Sequence, residues 1–170
     1  GQLVEPLGQA GFNEIYAVYK EQALALVQGG VDIFVLETFS DLKEAKAALM
    51  AVRENTDLPV MIAMTFMEDK KTFTGTDPVT AVTVLSSLGA DAVGVNCSTG
   101  PKPMLEIVKQ LTAATGLPVF VEPNAGIPKL NGSGATYNIT PGEMAEYAEL
   151  YVTHGANIVG ACCGLSLIHI

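Results

Sequence analysis

The sequence has few basic residues and no long apolar segment. Only 9 Lys and Arg stand against 18 Asp and Glu, which gives the 170 residues a formal net charge of −9. A surface of that average sign would repel nucleic acid and anionic membranes, so we expect neither as a partner. No apolar run reaches the roughly 18 residues of a membrane-spanning helix, and the first residues lack the order of a secretory signal. These absences predict a soluble, cytoplasmic protein.

Cysteine is scarce, and the common nucleotide-binding motifs are missing. There are three cysteines, of which Cys162 and Cys163 are adjacent. They are too few for a disulfide framework but suitable as thiolate metal ligands. No GxGxxG or GxxxxGK[ST] motif follows a predicted strand, which removes the usual support for a nucleotide-binding sheet. With 49% hydrophobic residues, the chain can build one core, so we expect one domain or part of one.

Short β-branched runs alternate with stretches of helical period. The runs predict buried parallel strands at residues 31–37, 60–66, 92–97, 119–124 and 157–163. Apolar residues at helical spacing predict helices over 12–27 and 41–55. Further helices should begin near Pro78, Pro101 and Pro141, because proline suits the first helical position. The order β, α, β, α indicates an α/β fold.

The spacing of the predicted strand ends leaves two α/β architectures open. The strands end at Glu37, Phe66, Cys97, Asn124 and Cys163, at intervals of 29, 31, 27 and 39 residues. An eight-unit (β/α) barrel averages roughly 31 residues per unit, which favours the barrel. An open doubly wound sheet would have nearly the same repeat. Periodicity alone does not choose between them.

All three cysteines lie at predicted strand ends, Cys97 after one strand and Cys162 and Cys163 after the last. Ligands bind at the carboxyl ends of the strands in both parallel architectures, so the three thiols can meet there. Three thiolates would leave one position of a tetrahedral zinc site open, and sulfur suits zinc or another soft metal. Such a metal would deprotonate an incoming thiol, which could then attack a carbon electrophile. The alternative is that the cysteines pack as small apolar side chains.

Five motifs carry a family resemblance that covers nearly all of residues 1–164. They are Leu-Glu-Thr-Phe-Ser-Asp at 36–41, Phe-Thr-Gly-Thr-Asp-Pro at 73–78, Gly-Val-Asn-Cys-Ser-Thr-Gly-Pro at 94–101, Glu-Pro-Asn-Ala-Gly at 122–126 and Gly-Ala-Cys-Cys-Gly at 160–164. Together they resemble the homocysteine S-methyltransferase domain family, in particular the homocysteine-binding domain of its cobalamin-dependent methionine synthase branch. The resemblance implies a partial TIM (β/α)8 barrel of roughly strands 4 to 8 with intervening helices, truncated at both ends.

The resemblance also implies an activity, which is zinc-dependent transfer of a methyl group to the thiol of L-homocysteine to form methionine. It assigns the zinc ligands to Cys97, Cys162 and Cys163. The segment Thr74 to Pro78 resembles the cobalamin-dependent branch, so the implied donor is methylcobalamin on another domain. Folate-binding and cobalamin-binding domains of the parent protein are the implied partners, and the fragment alone should be inactive. The alternatives are a sister enzyme that uses S-methylmethionine or betaine, or a non-catalytic zinc-binding remnant.

Four further residues match positions that the family uses around the substrate. Glu37 is implied to bind the amino group of homocysteine by a charge-assisted contact, the alternative being a solvent-facing or helix-capping acid. Asn124 is implied to reach the metal when homocysteine is absent, or else it is a turn asparagine that bonds its own backbone. Asn96 and Ser98 could orient a ligand or donate to the substrate carboxylate, and capping of the loop is an equal alternative.

Residues 165–170 read Leu-Ser-Leu-Ile-His-Ile and follow abruptly on the Cys-Cys-Gly motif. They match one reading frame of an adapter used in sequencing libraries, so we interpret them as read-through and exclude His169 as a ligand. This interpretation also explains Leu165, where the family commonly has threonine. The alternative is a genuine apolar end of a strand or loop.

Overall fold

The computed structural model describes residues 3–132 and 134–165. Within these residues the elements are α1 (Phe12–Gln28), β1 (Phe34–Phe39), α2 (Leu42–Arg53), β2 (Val60–Met64), α3 (Pro78–Ser87), β3 (Ala92–Asn96), α4 (Pro101–Ala114), β4 (Val119–Glu122), β5 (Lys129–Asn131), β6 (Gly134–Thr136), α5 (Pro141–Thr153) and β7 (Ile158–Val159). None of the helices in this part of the chain is both long and apolar enough to cross a membrane. Of residues 165–170, which we interpret as read-through, all but Leu165 lie outside the described residues.

Five strands form one parallel sheet in the order β1-β2-β3-β4-β7. The predicted alternation of strands and helices is therefore confirmed, although the strands are shorter than predicted. The first begins at Phe34, since Val31 lies in the turn after α1, where its N–H donates to the carbonyl of Leu26 at 3.4 Å. The last regular strand ends at Val159, before the two adjacent cysteines.

Helices α2 to α5 pack against one face of this sheet, and α1 packs against α2. Their buried side chains form a single cluster with alternate strand residues, among them Ile62, Val95 and Val121. The opposite face carries a smaller apolar cluster of Ala63, Ala92 and Phe120, with Met61 against it. Both faces of the central strands are thus apolar, as the continuous β-branched runs predict for a parallel sheet.

Polar side chains and prolines mark the helix starts that the sequence indicates. Asp41 caps α2 by accepting from the Lys43 N–H at 2.9 Å. Thr140 and Glu143 form a reciprocal capping box at the start of α5, as their spacing predicts. Proline occupies one of the first two positions of α3, α4 and α5. These caps fix where each helix begins and therefore how long each loop at the carboxyl edge is.

A small antiparallel hairpin of β5 and β6 lies between β4 and α5 and was not predicted. It accounts for the longest of the four strand-end intervals, since it adds residues to the loop after β4. The Asn131-Gly132 dipeptide, a frequent turn signal, would have indicated it. The hairpin leaves the order of the parallel sheet unchanged.

Replacement of Leu49 by alanine should test the packing of helices against the sheet. Leu49 lies in α2 and is fully buried in the main cluster. The change should lower the free energy of unfolding by about 2–5 kcal/mol, because a cavity would remain where the side chain was. The measurement is urea unfolding, with Leu150→Ala on α5 as the control. Leu150 is 38% exposed, so its truncation should cost clearly less, and equal losses would contradict this description of the core.

Candidate metal centre

Three thiols converge at the carboxyl edge of the sheet. The Sγ atoms of Cys97, Cys162 and Cys163 all lie within 4.8 Å of one another, and those of Cys97 and Cys163 are 4.0 Å apart. Cys97 follows β3 and the other two follow β7, with β4 between these strands. The sheet order therefore brings together the cysteines that the sequence predicts to meet. No other trio of His, Cys, Asp or Glu with such spacing occurs within residues 3–132 and 134–165.

Backbone contacts fix the two loops that carry the thiols. Cys97 and Ser98 have left-handed φ angles of 61° and 62°, which turn the chain sharply as it leaves β3. The N–H of Cys97 donates to the carbonyl of Glu122 at 3.0 Å, and that of Cys162 donates to the carbonyl of Pro123 at 2.9 Å. Left-handed non-glycine residues cost of order 1–3 kcal/mol and persist only where the surroundings hold them. The end of β4 therefore anchors both cysteine loops.

Asn124 is buried and contacts the second cysteine loop. Its Oδ1 accepts from the N–H of Cys163 at 3.0 Å, while the N–H of Ala125 donates to the carbonyl of Cys163 at 2.9 Å. The side chain thus holds a loop distant in sequence rather than its own turn. Its predicted contact with a metal stays a prediction.

Asn96 joins the ends of β1 and β3 across β2. It is fully buried, and its Oδ1 accepts from the N–H of Thr38 at 2.9 Å. Its Nδ2 donates to Thr38 Oγ1 at 2.7 Å and to Glu37 Oε2 at 3.3 Å. Thr38 has a φ of 68°, which is rare for a β-branched residue. Asn96 therefore stabilises this irregular position near the end of β1 and orients Glu37. Ser98 lies half-buried, with its Oγ 3.7 Å from Met67 Sδ.

Glu122 belongs to the site although sequence reasoning did not single it out. It ends β4 directly beside Asn96 in the register, and Asn96 Nδ2 donates to Glu37 Oε2 at 3.3 Å, so the two glutamates lie near each other. Burial, followed by repulsion from Glu37 and the hydrogen bond between the two, raises the pKa of Glu122 above its usual range. Its place at a strand end, on the same face as Asn96, was the signal that could have identified it.

The thiol of Cys162 lies in an environment that disfavours negative charge. Burial is the main cause that raises the pKa of Cys162, and repulsion from Cys97 adds to it, so that the pKa reaches about 12. A soft cation among the three sulfur atoms would reverse both effects, because it favours the thiolate forms. The arrangement can therefore hold such a cation through three ligands from two loops.

Sequence comparisons relate the whole chain to one family. A family model described as homocysteine S-methyltransferase matches residues 2–170. The chain is 35% identical to the methionine synthase of Mycobacterium tuberculosis and 34% identical to that of Mycobacterium leprae. Both alignments include 100% of this chain but 15% of the relative. The chain thus spans about 15% of the length of these curated relatives.

Structure comparisons support the fold. The metallated form of the homocysteine methyltransferase MmuM from Escherichia coli has a TM-score of 0.77 at 21% identity, covering 93% of this chain and 49% of that chain. The apo form of the same protein gives a TM-score of 0.75. The carboxyl transferase domain of Rhizobium etli pyruvate carboxylase follows at 0.60 and 18% identity, with 86% and 24% covered. At sequence identities of 18–21%, the similarity shows only that these proteins share the architecture of a parallel sheet with helices.

Alkylation by iodoacetamide should reveal the raised pKa of Cys162 in metal-free protein. Since the thiolate is the reactive form, the rate of alkylation at Cys162 should rise about tenfold per pH unit from pH 8 to about pH 11. Exposed Cys163 should react before Cys162 at pH 8. Mass spectrometry of the separate peptides measures each rate, and Cys97→Ala should speed the reaction at Cys162 by removing a source of repulsion. A rate at Cys162 that levels off below pH 10 would contradict this electrostatic description.

Proposed function

Because the chain belongs to the homocysteine S-methyltransferase family, we propose that it forms the homocysteine-binding part of an enzyme that methylates L-homocysteine to methionine. The observation that carries the proposal is the convergence of three thiols within 4.8 Å at the ends of two strands. A sulfur-rich trio is suited to activating another thiol, since a soft cation there would bind the substrate through its sulfur.

The donor set fits zinc, which would be held by Cys97, Cys162 and Cys163. Tetrahedral zinc with Zn–S distances of about 2.3 Å implies sulfur atoms about 3.8 Å apart. The separation of 4.0 Å between the sulfur atoms of Cys97 and Cys163 is close to that value. Three protein thiolates would leave a fourth position for the homocysteine sulfur. A bound zinc ion would supply one effect, which is to lower the pKa of that substrate thiol.

The remaining residues would bind and orient the substrate. Glu37 would accept from the ammonium group of homocysteine, and the 3.3 Å contact from Asn96 Nδ2 would hold its carboxylate in place. Asn124 would keep the Cys163 loop in position, and its proposed contact with the metal belongs to the state without substrate. Ser98 is the candidate for contact with the substrate carboxylate, as it directly follows Cys97.

We further propose that residues 1–164 are part of a TIM (β/α)8 barrel, in which the five strands correspond roughly to strands 4 to 8. Support comes from the helices, which cover one face of the sheet as in a barrel, whereas doubly wound sheets carry helices on both faces. The second face carries apolar side chains, which a barrel would enclose. Strands β1 and β7 lie at the two ends of the sheet, where further strands could pair.

The proposed methyl donor is methylcobalamin, bound by another domain of the same protein. A folate-binding domain of that protein is proposed as a further partner. The resemblance of Thr74 to Pro78 to the cobalamin-dependent branch supports it, as does the likeness to two much longer methionine synthases. S-methylmethionine and betaine are the alternative donors. Supplying each donor separately to the complete protein with homocysteine and measuring methionine would distinguish the three.

Replacement of each cysteine by alanine should abolish retention of zinc in the complete protein, because two thiolates bind the ion far more weakly than three. The measurements are zinc per chain and homocysteine-dependent demethylation of methylcobalamin, which should fall by more than about a hundredfold. Ser87→Ala, at the last residue of α3, is the control and should retain both. If a cysteine variant keeps stoichiometric zinc, the cysteine replaced in it is not a zinc ligand. Zinc without turnover in the unaltered protein would favour a non-catalytic zinc-binding module.

Replacement of Glu37 by glutamine should weaken homocysteine binding while zinc stays bound. The loss of a charge-assisted hydrogen bond should raise KM for homocysteine about 10- to 100-fold. Glu146→Gln on α5 removes an equal charge from an exposed position and should leave KM unchanged. An unchanged KM in Glu37→Gln would remove Glu37 from the substrate site.

A further inference from the structure

We propose that Glu122 is a second carboxylate for the substrate ammonium group, which it binds together with Glu37. This inference rests on the proposed function and adds a binding residue to that site. The two glutamates come from strands β1 and β4, which β2 and β3 separate in the sheet. Both nevertheless lie beside Asn96, whose Nδ2 donates to Glu37 Oε2 at 3.3 Å and which pairs with Glu122 in the register of β3 and β4.

The surroundings of Glu122 lack a donor for one of its oxygens. Its Oε2 is buried and has no hydrogen-bond partner among the described residues. A buried acceptor without a donor is costly, and a second carboxyl group nearby increases the cost when both are charged. An ammonium group carries three donors and a positive charge, so that it would satisfy the Oε2 atom and offset the repulsion between the two glutamates.

Glu122 also contacts both loops that carry the thiols. Its backbone carbonyl accepts from the N–H of Cys97 at 3.0 Å. A Cβ atom at Gly160 would lie 2.9 Å from the Cγ and Oε1 atoms of Glu122, so the absence of a side chain there gives its carboxyl group room. Gly160 precedes the cysteine pair by two residues. The proposed ammonium site therefore lies beside the proposed sulfur site, as a single amino acid with both groups requires.

Two ligands separate an ammonium contact from a general effect on the site. L-homocysteine carries the ammonium group, and 4-mercaptobutanoate is the same thiol acid without it. Calorimetric titration of zinc-loaded complete protein gives the Kd for each. Glu122→Gln should raise the Kd for L-homocysteine about 10- to 100-fold, since a charge-assisted bond is lost, and that for 4-mercaptobutanoate less than about threefold.

Two further variants complete the test. Glu68→Gln removes a charge from an exposed position in the loop after β2 and should change neither Kd by more than about twofold. Gly160→Ala pushes the Glu122 carboxyl group aside without removing it. This variant should weaken the binding of L-homocysteine but not that of 4-mercaptobutanoate, and it should retain zinc. This variant decides the question if Glu122→Gln does not fold.

The outcomes distinguish this inference from the function on which it rests. Selective loss of homocysteine affinity supports the role of Glu122. If the affinities for both thiols fall equally, or if the affinity for homocysteine does not change, that role is overturned while the proposed function stands. If unaltered zinc-loaded protein binds neither thiol, the proposed function fails and the inference fails with it.

Discussion

The parallel register of β3, β4 and β7 is the constraint on which the site depends. Parallel strands end at one edge of a sheet, so a residue that follows one strand meets residues that follow its neighbours. Here β4 lies between the two strands that lead to cysteines. Its last residue, Glu122, accepts from the N–H of Cys97, and Pro123, which follows it, accepts from the N–H of Cys162. A slip of this register would separate the thiols, however well each loop were formed.

Strained backbone at the edge is held by buried polar contacts rather than by glycine. Thr38, Cys97 and Ser98 all have left-handed φ angles, and Asn96 bonds both the backbone and the side chain of Thr38. Its amide side chain supplies an acceptor and donors at once, which no apolar residue of similar size could do. The conformation of this end of β1 thus depends on one fully buried asparagine, which also orients Glu37.

Much of the fold and the thiol trio could be predicted from the sequence, because both depend on local patterns. β-branched runs, prolines and capping residues indicate the strands and helix starts, and a residue at a strand end must lie at the carboxyl edge. Side-chain partners are different, since they depend on which distant loop comes near. The bond from Asn124 to Cys163 and the pairing of Glu122 with Glu37 join residues far apart in sequence, and no local pattern predicts them.

The early end of β7 has a consequence for how the site is assembled. Neighbouring residues in an extended strand point to opposite sides, so Cys162 and Cys163 can face one point only because regular pairing has already ended. They also follow Cys97 by 65 and 66 residues along the chain. During synthesis on the ribosome, Cys97 emerges before Cys162 and Cys163, so the three thiols cannot come together until translation has passed the loop after β7. Metal capture by all three thiols would then be a late event that follows, rather than guides, formation of the earlier β/α units.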